Sequence, residues 1–225
     1  MPVWAVAISV LATSQSSATF LGGPDQCYRG DLSYLATNLG AFVAAFFVAT
    51  FLIPKFYKFN VYTVYELLEV RFGPKAKKQA GLMYLCGRIF ASGARLYMAA
   101  IAVSMILFAD IEAALAVIYC LLVAIPSDLS SVMAVLAEPG AGQASKLALF
   151  KFDWDFSPSG VFNIWSVFTG FVLLNIAAFG LDQDMTQRVL TCKNAKDGSK
   201  AMLYSIVMVI PIMLLFIVIG LLLYV

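Results

Sequence analysis

Long apolar runs are the feature of this sequence that most restricts its fold. Five of them are long enough, or nearly so, for a bilayer-spanning helix of roughly 20 residues. They cover residues 3–21, 32–54, 79–108, 161–180 and 201–225. Only 12% of the 225 residues are charged, whereas a soluble domain has about 25%. Helices satisfy their own backbone polar groups inside lipid, so the sequence predicts an all-α, polytopic membrane protein.

Composition also excludes several classes of function. The chain contains no histidine, which rules out a His metal site, a His proton shuttle and a Ser-His-Asp triad within it. There is no nucleophile with an evident base, so we do not expect an enzyme or an organic cofactor. The formal net charge of +2 is too small to indicate nucleic-acid binding.

Basic residues are concentrated in two segments. Segment 55–78 has six Lys or Arg residues and segment 181–200 has four, which predicts that both face the cytoplasm. We interpret residues 1–225 as a single transmembrane domain of a multi-pass protein in a plasma or bacterial inner membrane. Residues 126–160 are then an extracytoplasmic loop within it, with a short amphipathic helix at 128–138.

The short apolar run at 111–125 does not fit this topology. The run 79–108 would end outside and the run 161–180 would begin outside, so zero or two crossings must separate them. The sequence offers one run of 15 residues. Either this run does not cross, or a crossing present in a complete relative is absent; we favour the second interpretation.

The first apolar run contains a dense polar stretch at 12–19. A continuous helix could bond these hydroxyls to its own carbonyls. A broken helix would instead free carbonyls that can coordinate sodium. The residue pattern supports both equally. Downstream, Thr63 and Glu66 form a capping box, and Gly73-Pro74 ends the helix that follows it.

Four polar residues lie deeper in the apolar runs. Asn38 and Asn175 either hydrogen-bond between helices or face a solute cavity, and the first is favoured from the residues alone. Arg88 and Arg95 are seven residues apart and share one helix face. Arg88 can snorkel to the interface. Arg95 needs a partner, and a structural ion pair is favoured over contact with an anionic solute.

Three segments resemble the sodium:solute symporter family. TVYELLEVRFG at 63–73 and GLDQDMTQRVL at 180–190 look like its two loop signatures, and ATSQSSATFLGGP at 12–24 is similar to its unwound first core helix. Their order and separation fit the family over the whole chain. The polar residues of the second signature, at 180–190, have two interpretations. They either lie where a helix leaves the membrane or are candidates for a cytoplasmic gate. The gate candidates are Asp182, Gln183, Gln187 and Arg188.

The resemblance implies a core of two inverted five-helix repeats with a broken first helix, and a solute held near the midplane. The implied function is sodium-coupled symport of a small organic solute, with sodium, the solute and the lipid bilayer as partners. The backbone carbonyls of Ala12 and Gln15 match the positions that bind sodium. The positions that match the solute contacts of the family's sugar-carrying members are Ser14, Thr19, Asn38 and Asn175.

The same resemblance implies an incomplete member of the family. No match is expected for the leading helix, for part of core helices four and five around 119–125, or for anything after core helix seven. We therefore expect the isolated chain to show no sodium-dependent accumulation of solute. The alternative is a non-transporting fragment or helical subunit that pairs with another chain. The solute stays open, although the two arginines favour an anion slightly.

Overall fold

The computed structural model describes residues 1–108, 129–137, 145–154 and 161–222, and the regular elements in these ranges are helices. In chain order they are α1 (Val3–Ser14), α2 (Ser17–Arg29), α3 (Ser33–Phe47), α4 (Ile53–Lys58), α5 (Val64–Phe72), α6 (Pro74–Phe108), α7 (Leu129–Ala137), α8 (Ile164–Ser166), α9 (Val172–Gly180), α10 (Gln183–Leu190) and α11 (Ala195–Leu222). Two π-helical turns, Val48–Leu52 and Val167–Phe171, join α3 to α4 and α8 to α9. The predicted all-α class is confirmed.

Several helical stretches are long and apolar enough to cross a membrane. Ser33–Lys58 has a mean hydropathy of 2.0 and Ala195–Leu222 one of 3.0. Two bent pairs, α1 with α2 and Ile164–Gly180 with α10, meet the same criterion, which gives up to four such spans among the described residues. The 35 residues of α6 extend about 50 Å, which also exceeds the apolar thickness of a bilayer.

Helices α1 and α2 are two halves of one broken helix, bent by 65°. The backbone of Gln15 and Ser16 is extended, so the α-helical hydrogen-bond ladder stops at Ser14 and restarts at Ser17. Ser16 caps the second half, and its N–H lies 3.5 Å from Thr19 Oγ1 in a capping box. Of the two possibilities left open by the sequence, the structure has the broken helix.

A second break separates α9 from α10, with a bend of 56°. Asp182 lies at this break in an extended conformation, and its Oδ1 accepts the N–H groups of Asp184 (2.9 Å) and Met185 (3.4 Å). This is the hydrogen bonding of a helix N-cap. The polar cluster that follows the fifth apolar run therefore begins a new half-helix at the break.

Helix α11 lies at the centre of the bundle, where it packs against α1, α2 and α3. The largest apolar core is formed by α1, α3, α10 and α11. Small residues bring backbones close together in it, because a Cβ atom on Gly40 would lie 2.6 Å from the Val167 carbonyl. This close approach holds α3 against the turn that leads into α9, and so fixes the two helices that carry the intramembrane asparagines.

Helices α5 and α10 lie at one end of the bundle. Thr63 and Glu66 form the predicted capping box, and α5 ends at Phe72 before Gly73, whose φ is +84°. The Val64 N–H donates to Gln183 Oε1 at 3.2 Å. The two basic segments, which contain α5 and α10, are thus at the same end. That this end faces the cytoplasm stays a prediction.

Helix α7 lies at the opposite end, where Val132 and Leu136 pack against Cys27 of α2 and the last turns of α11. Its bounds agree with the short helix predicted at 128–138. The predicted loop 126–160 is described only at 129–137 and 145–154. The apolar run 111–125, with the 119–125 junction, lies outside the described residues.

A buried ion pair stabilises the connection between α2 and α3. Asp31 is 6% exposed, and its carboxylate accepts hydrogen bonds from Lys151 Nζ (2.6 Å) and the Ser33 N–H (2.9 Å). Burial by itself raises the pKa of this carboxyl, but the bonds from Lys151 and Ser33 outweigh it and lower the pKa below its usual value. A lowered folded-state pKa means that this stabilisation is complete above about pH 4 and lost as the pH falls further.

We expect Asp31→Asn to lower the thermal unfolding midpoint at pH 7, by the equivalent of about 1–2 kcal/mol, since Lys151 is partly exposed. The deficit should shrink as the pH falls below about 4, because the carboxyl of the unfolded wild-type chain then binds a proton and the advantage of the ionised, paired carboxyl in the folded state is progressively lost. Circular dichroism melts in detergent at pH 7 and at pH 3 measure the difference in unfolding midpoint between the variant and the wild type. Asp25→Asn is the matched control, since the Asp25–Arg29 pair is on the surface. A loss of thermal stability that does not change with pH would contradict the assignment of this stabilisation to the ionised Asp31 carboxylate.

Candidate functional site

A cavity of about 310 Å³ lies between the two helix breaks. Its walls come from the end of α1, the start of α2, one face each of α3, α6 and α9, and the middle of α11. The polar residues that line it are Thr13, Ser14, Gln15, Thr19, Tyr34, Thr37, Asn38, Arg88, Arg95, Asn175 and Asp182. The volume is at the small end of the range typical for ligand pockets.

The break after α1 releases two backbone carbonyls. In a continuous helix the Ser16 N–H would bond to the Ala12 carbonyl, and the Thr19 N–H to the Gln15 carbonyl. Here the Ser16 N–H faces Thr19 Oγ1, and the Thr19 N–H faces the Ser16 side chain within the capping box. The carbonyls of Ala12 and Gln15 therefore have no helical partner in the described part of the chain. Such oxygens suit a hard monovalent cation.

The asparagines predicted to face either a neighbouring helix or a cavity both line the cavity. Asn38 lies on α3 and Asn175 on α9, and each donates its amide N–H₂ to a carbonyl of its own helix, at 3.1 and 2.7 Å. Ser14 and Thr19 line the cavity as well. All four predicted solute contacts are therefore brought to one cavity.

The two intramembrane arginines have different surroundings. Arg88 forms an ion pair with Asp184 and lies 3.8 Å from an oxygen of Asp182, so it joins α6 to the second helix break. Arg95 also lines the cavity, but it has no ion pair with any residue that the structure describes. The structural ion pair favoured for Arg95 from the sequence is thus not found there, whereas Arg88 has one.

The gate candidates separate into two groups. Asp182 lines the cavity and Gln183, 8% exposed, is buried beneath α5. Gln187 is exposed, and Arg188 donates to Ser9 Oγ on the surface of α1. Of the four candidates, Asp182 therefore contacts α6 and Gln183 contacts α5, whereas Arg188 contacts α1.

Tyr65 of α5 lies beside this contact. Its ring centroid is 5.7 Å from that of Tyr84 on α6. Burial, together with Tyr84 and Asp182, raises the pKa of the Tyr65 phenol to about 12. The phenol is therefore neutral over the physiological range.

Sequence reasoning missed Thr13, Tyr34 and Thr37 as lining residues. Tyr34 lies four residues before Asn38, and Thr37 lies three residues after Tyr34, so this helical spacing was the available signal for a shared face of α3. The pairing of Arg88 with Asp182 and Asp184 had no such signal. It joins residues more than 90 positions apart.

Comparison with known proteins identifies the family. The family model of the sodium:solute symporter family matches residues 1–127, more than half of the chain. The chain belongs to the sodium:solute symporter family. The resemblance stated from the motifs is thereby confirmed, and the helices described above are those of an integral membrane protein of this family.

Curated relatives are sodium-coupled transporters. Mouse sodium-coupled monocarboxylate transporter 2 is 24% identical over 89% of this symporter-family chain and 37% of its own length. The human sodium/iodide cotransporter is 25% identical over 89% of the chain and 35% of its own length. The chain thus spans well under half of these relatives.

A solved structure has the same fold. A sodium-coupled sialic acid symporter, in a substrate-bound outward-open state, superimposes with a TM-score of 0.82 at 22% sequence identity. The match covers all of this chain and 53% of that one. The likeness confirms the predicted architecture of a partial transporter core. It does not by itself identify a solute.

Proposed function

We propose that this chain forms the sodium- and solute-binding part of a sodium-coupled symporter for a small organic anion. The observation that carries the proposal is the position of Arg95. Arg95 lines a 310 Å³ cavity between two broken helices, without a counter-ion among the described residues. The relatives named above are transporters of monocarboxylate, iodide and sialic acid, all of which are anions at neutral pH.

An unpaired guanidinium at membrane depth is costly, so a functional partner is the default expectation for it. Its planar set of donors matches a carboxylate, which can accept two parallel hydrogen bonds. Arg88 is less available for such a contact, because Asp184 and Asp182 already neutralise it. Arg95 is therefore the cavity residue best suited to hold the negative charge of the solute.

Sodium is the coupling ion in this proposal. The released carbonyls of Ala12 and Gln15 lie at the break that also contributes Ser14, Gln15 and Thr19 to the cavity wall. Sodium bound to them holds the broken helix in one conformation, and the cavity is then ready to accept the solute. Further helices, on the same or a partner chain, complete the transporter.

The contact at the second break acts as the inner gate. Arg88 ties α6 to Asp182 and Asp184, and Gln183 ties α5 to the same half-helix. Release of the solute to the cytoplasm requires these contacts to separate. Gln187 and Arg188, being exposed, are not part of this contact.

The proposal is tested by binding to the purified chain in lipid nanodiscs, with radiolabelled propanoate as the probe. We expect binding in sodium buffer and none in choline buffer of the same ionic strength. Arg95→Gln should weaken binding about 10- to 100-fold, because a hydrogen bond to a charged group is worth about 1.5–3 kcal/mol. Arg95→Lys should retain part of the affinity, since it keeps the charge without the fork geometry.

Arg71→Gln is the matched control, because Arg71 lies on α5, away from the cavity, against the ring of Phe72. It should bind propanoate like the wild type. Binding that is independent of sodium, or unaffected in Arg95→Gln, would overturn the proposal.

A further inference from the structure

One end of the bundle, remote from the cavity, is formed by three basic segments. They are the end of α4, α5 with the first turn of α6, and the stretch that joins α10 to α11. The Tyr57 hydroxyl of α4 lies 3.1 Å and 3.0 Å from the carbonyl oxygens of Val189 and Cys192. Lys77 Nζ of α6 lies 2.7 Å from a carboxylate oxygen of Glu69 on α5, and α5 is hydrogen-bonded to α10. These contacts hold the three segments together at the same end.

Most basic side chains at this end are not neutralised by the protein. The two acidic residues of α5, Glu66 and Glu69, both lie next to Lys77. The other Lys and Arg side chains are exposed, and apart from Arg188 they have neither an ion pair nor a hydrogen-bond partner within the ranges that the structure describes. We call this set the basic rim, and its members are Lys55, Lys58, Arg71, Lys75, Lys78, Lys193, Lys196 and Lys200.

Six members of the rim form pairs of like charge on single helices. Residues three or four positions apart on a helix are neighbours, and like charges at this spacing destabilise the helix. An anion bound between the two side chains of a pair would remove this repulsion. The pairs are Lys55 and Lys58 on α4, Lys75 and Lys78 on α6, and Lys196 and Lys200 on α11.

The opposite end of the bundle has the reverse arrangement. Arg29 forms an ion pair with Asp25, Lys151 forms one with Asp31, and Lys146 Nζ donates to a backbone carbonyl of α2 at 2.7 Å. The basic residues described at that end thus have acceptors within the protein. The rim is also at the end predicted to face the cytoplasm, and the cytoplasmic leaflet carries the negative surface potential of anionic lipids.

Large apolar side chains lie among the charges of the rim. Phe59, Tyr62, Val70 and Phe72 are 49–81% exposed, although Val64 of α5 is buried in a small apolar core. Aromatic rings in such positions are typical of the depth of the lipid headgroups. A membrane surface takes up the apolar side chains and pairs with the charges, whereas a soluble anion would leave the rings in water.

From these observations we propose that the basic rim binds the phosphate groups of anionic phospholipids. The like-charged pairs contact the phosphates, and the exposed rings of Phe59, Tyr62 and Phe72 lie between the headgroups. This site is separate from the cavity, and it does not depend on the proposed function.

Native mass spectrometry of the purified chain tests the inference. The chain is released from detergent micelles that contain equal amounts of phosphatidylglycerol and phosphatidylcholine with the same acyl chains, and the ratio of the two bound lipids is measured. We expect phosphatidylglycerol to dominate. Lys58→Gln, Lys78→Gln and Lys200→Gln, one from each pair, should each lower the ratio about 5-fold, which is the attraction of one Lys or Arg to an anionic membrane surface.

Two further variants separate the rim from the net charge of the chain. Arg29→Gln also removes one positive charge, but from a side chain at the opposite end that Asp25 already neutralises. It should keep the lipid ratio of the wild type. Lys78→Arg keeps the charge of the rim and should keep the ratio as well.

Several results would overturn the inference. Equal binding of the two lipids would do so, and so would an equal loss in Arg29→Gln and in the rim variants, which would assign the preference to net charge. Displacement of phosphatidylglycerol by an equal concentration of glycerol 3-phosphate would indicate a site for a soluble phosphate compound. Displacement by polyglutamate would indicate an acidic protein segment. None of these outcomes affects the sodium-dependent binding expected at the cavity.

Discussion

Gly220→Ala should be among the most destabilising single substitutions in this chain. A Cβ atom on Gly220 would lie 2.8 Å from Pro24 Cα and 2.9 Å from the Pro24 carbonyl carbon, and closer still to the carbonyl oxygen. These are backbone atoms, so no side-chain rotation can make room. Overpacking of this kind typically costs about 1–3 kcal/mol, and sometimes more. Helix α11 must then move away from α2.

The intrinsic preference of alanine for helix opposes this loss by only about 1 kcal/mol. We therefore expect a lower thermal midpoint for Gly220→Ala and a still lower one for Gly220→Val, measured by circular dichroism in detergent. Gly22→Ala is the matched control in the same helix pair, since nothing lies within 4 Å of its Cβ position. It should melt at the wild-type temperature or above. Equal midpoints for Gly220→Ala and Gly22→Ala would contradict the packing.

Arg88 and Asp184 should be strongly coupled in a double-mutant cycle. Their ion pair joins α6 to the second helix break, and the two side chains are 27% and 36% exposed. Loss of one partner from a fully buried pair costs about 3–5 kcal/mol. Partial exposure reduces this value, and we expect a coupling free energy of about 1–2 kcal/mol.

The cycle consists of Arg88→Gln, Asp184→Asn and the double variant, with the free energy of unfolding measured for each. Asp182 provides the matched comparison, since its carboxylate is 3.8 Å from Arg88. Its coupling to Arg88 should be smaller, and Asp182→Asn keeps a side chain that can still cap α10. Additive effects for Arg88 and Asp184, within about 0.3 kcal/mol, would show that the pair does not hold the helices together.

The sequence was sufficient for the features that depend on neighbouring residues. Apolar runs of the length of a bilayer predicted the helices, because lipid leaves the backbone no other way to satisfy its polar groups. The capping box at Thr63 and the stop at Gly73 were also readable, since both act within one helical turn. The motif resemblance added the family and the broken first helix.

The solute contacts could be predicted only in part. Ser14, Thr19, Asn38 and Asn175 were named through the resemblance, and the structure places all four at one cavity. Their roles there stay predictions. The orientation of the asparagine amides was not readable, because it depends on which carbonyl of the folded helix each nitrogen contacts.

Charge pairing was decided by tertiary structure alone. Arg88 and Arg95 are seven residues apart on one helix face; the sequence favoured a structural ion pair for Arg95, whereas among the described residues Arg88 is the one that has such a pair. The second helix break brings Asp182 and Asp184 beside Arg88, while Arg95 faces the cavity. Local sequence determined where helices form and end. Only the packing of distant helices decided that Arg88 is neutralised by Asp184, because an ion pair depends on a distance in space that no local pattern encodes.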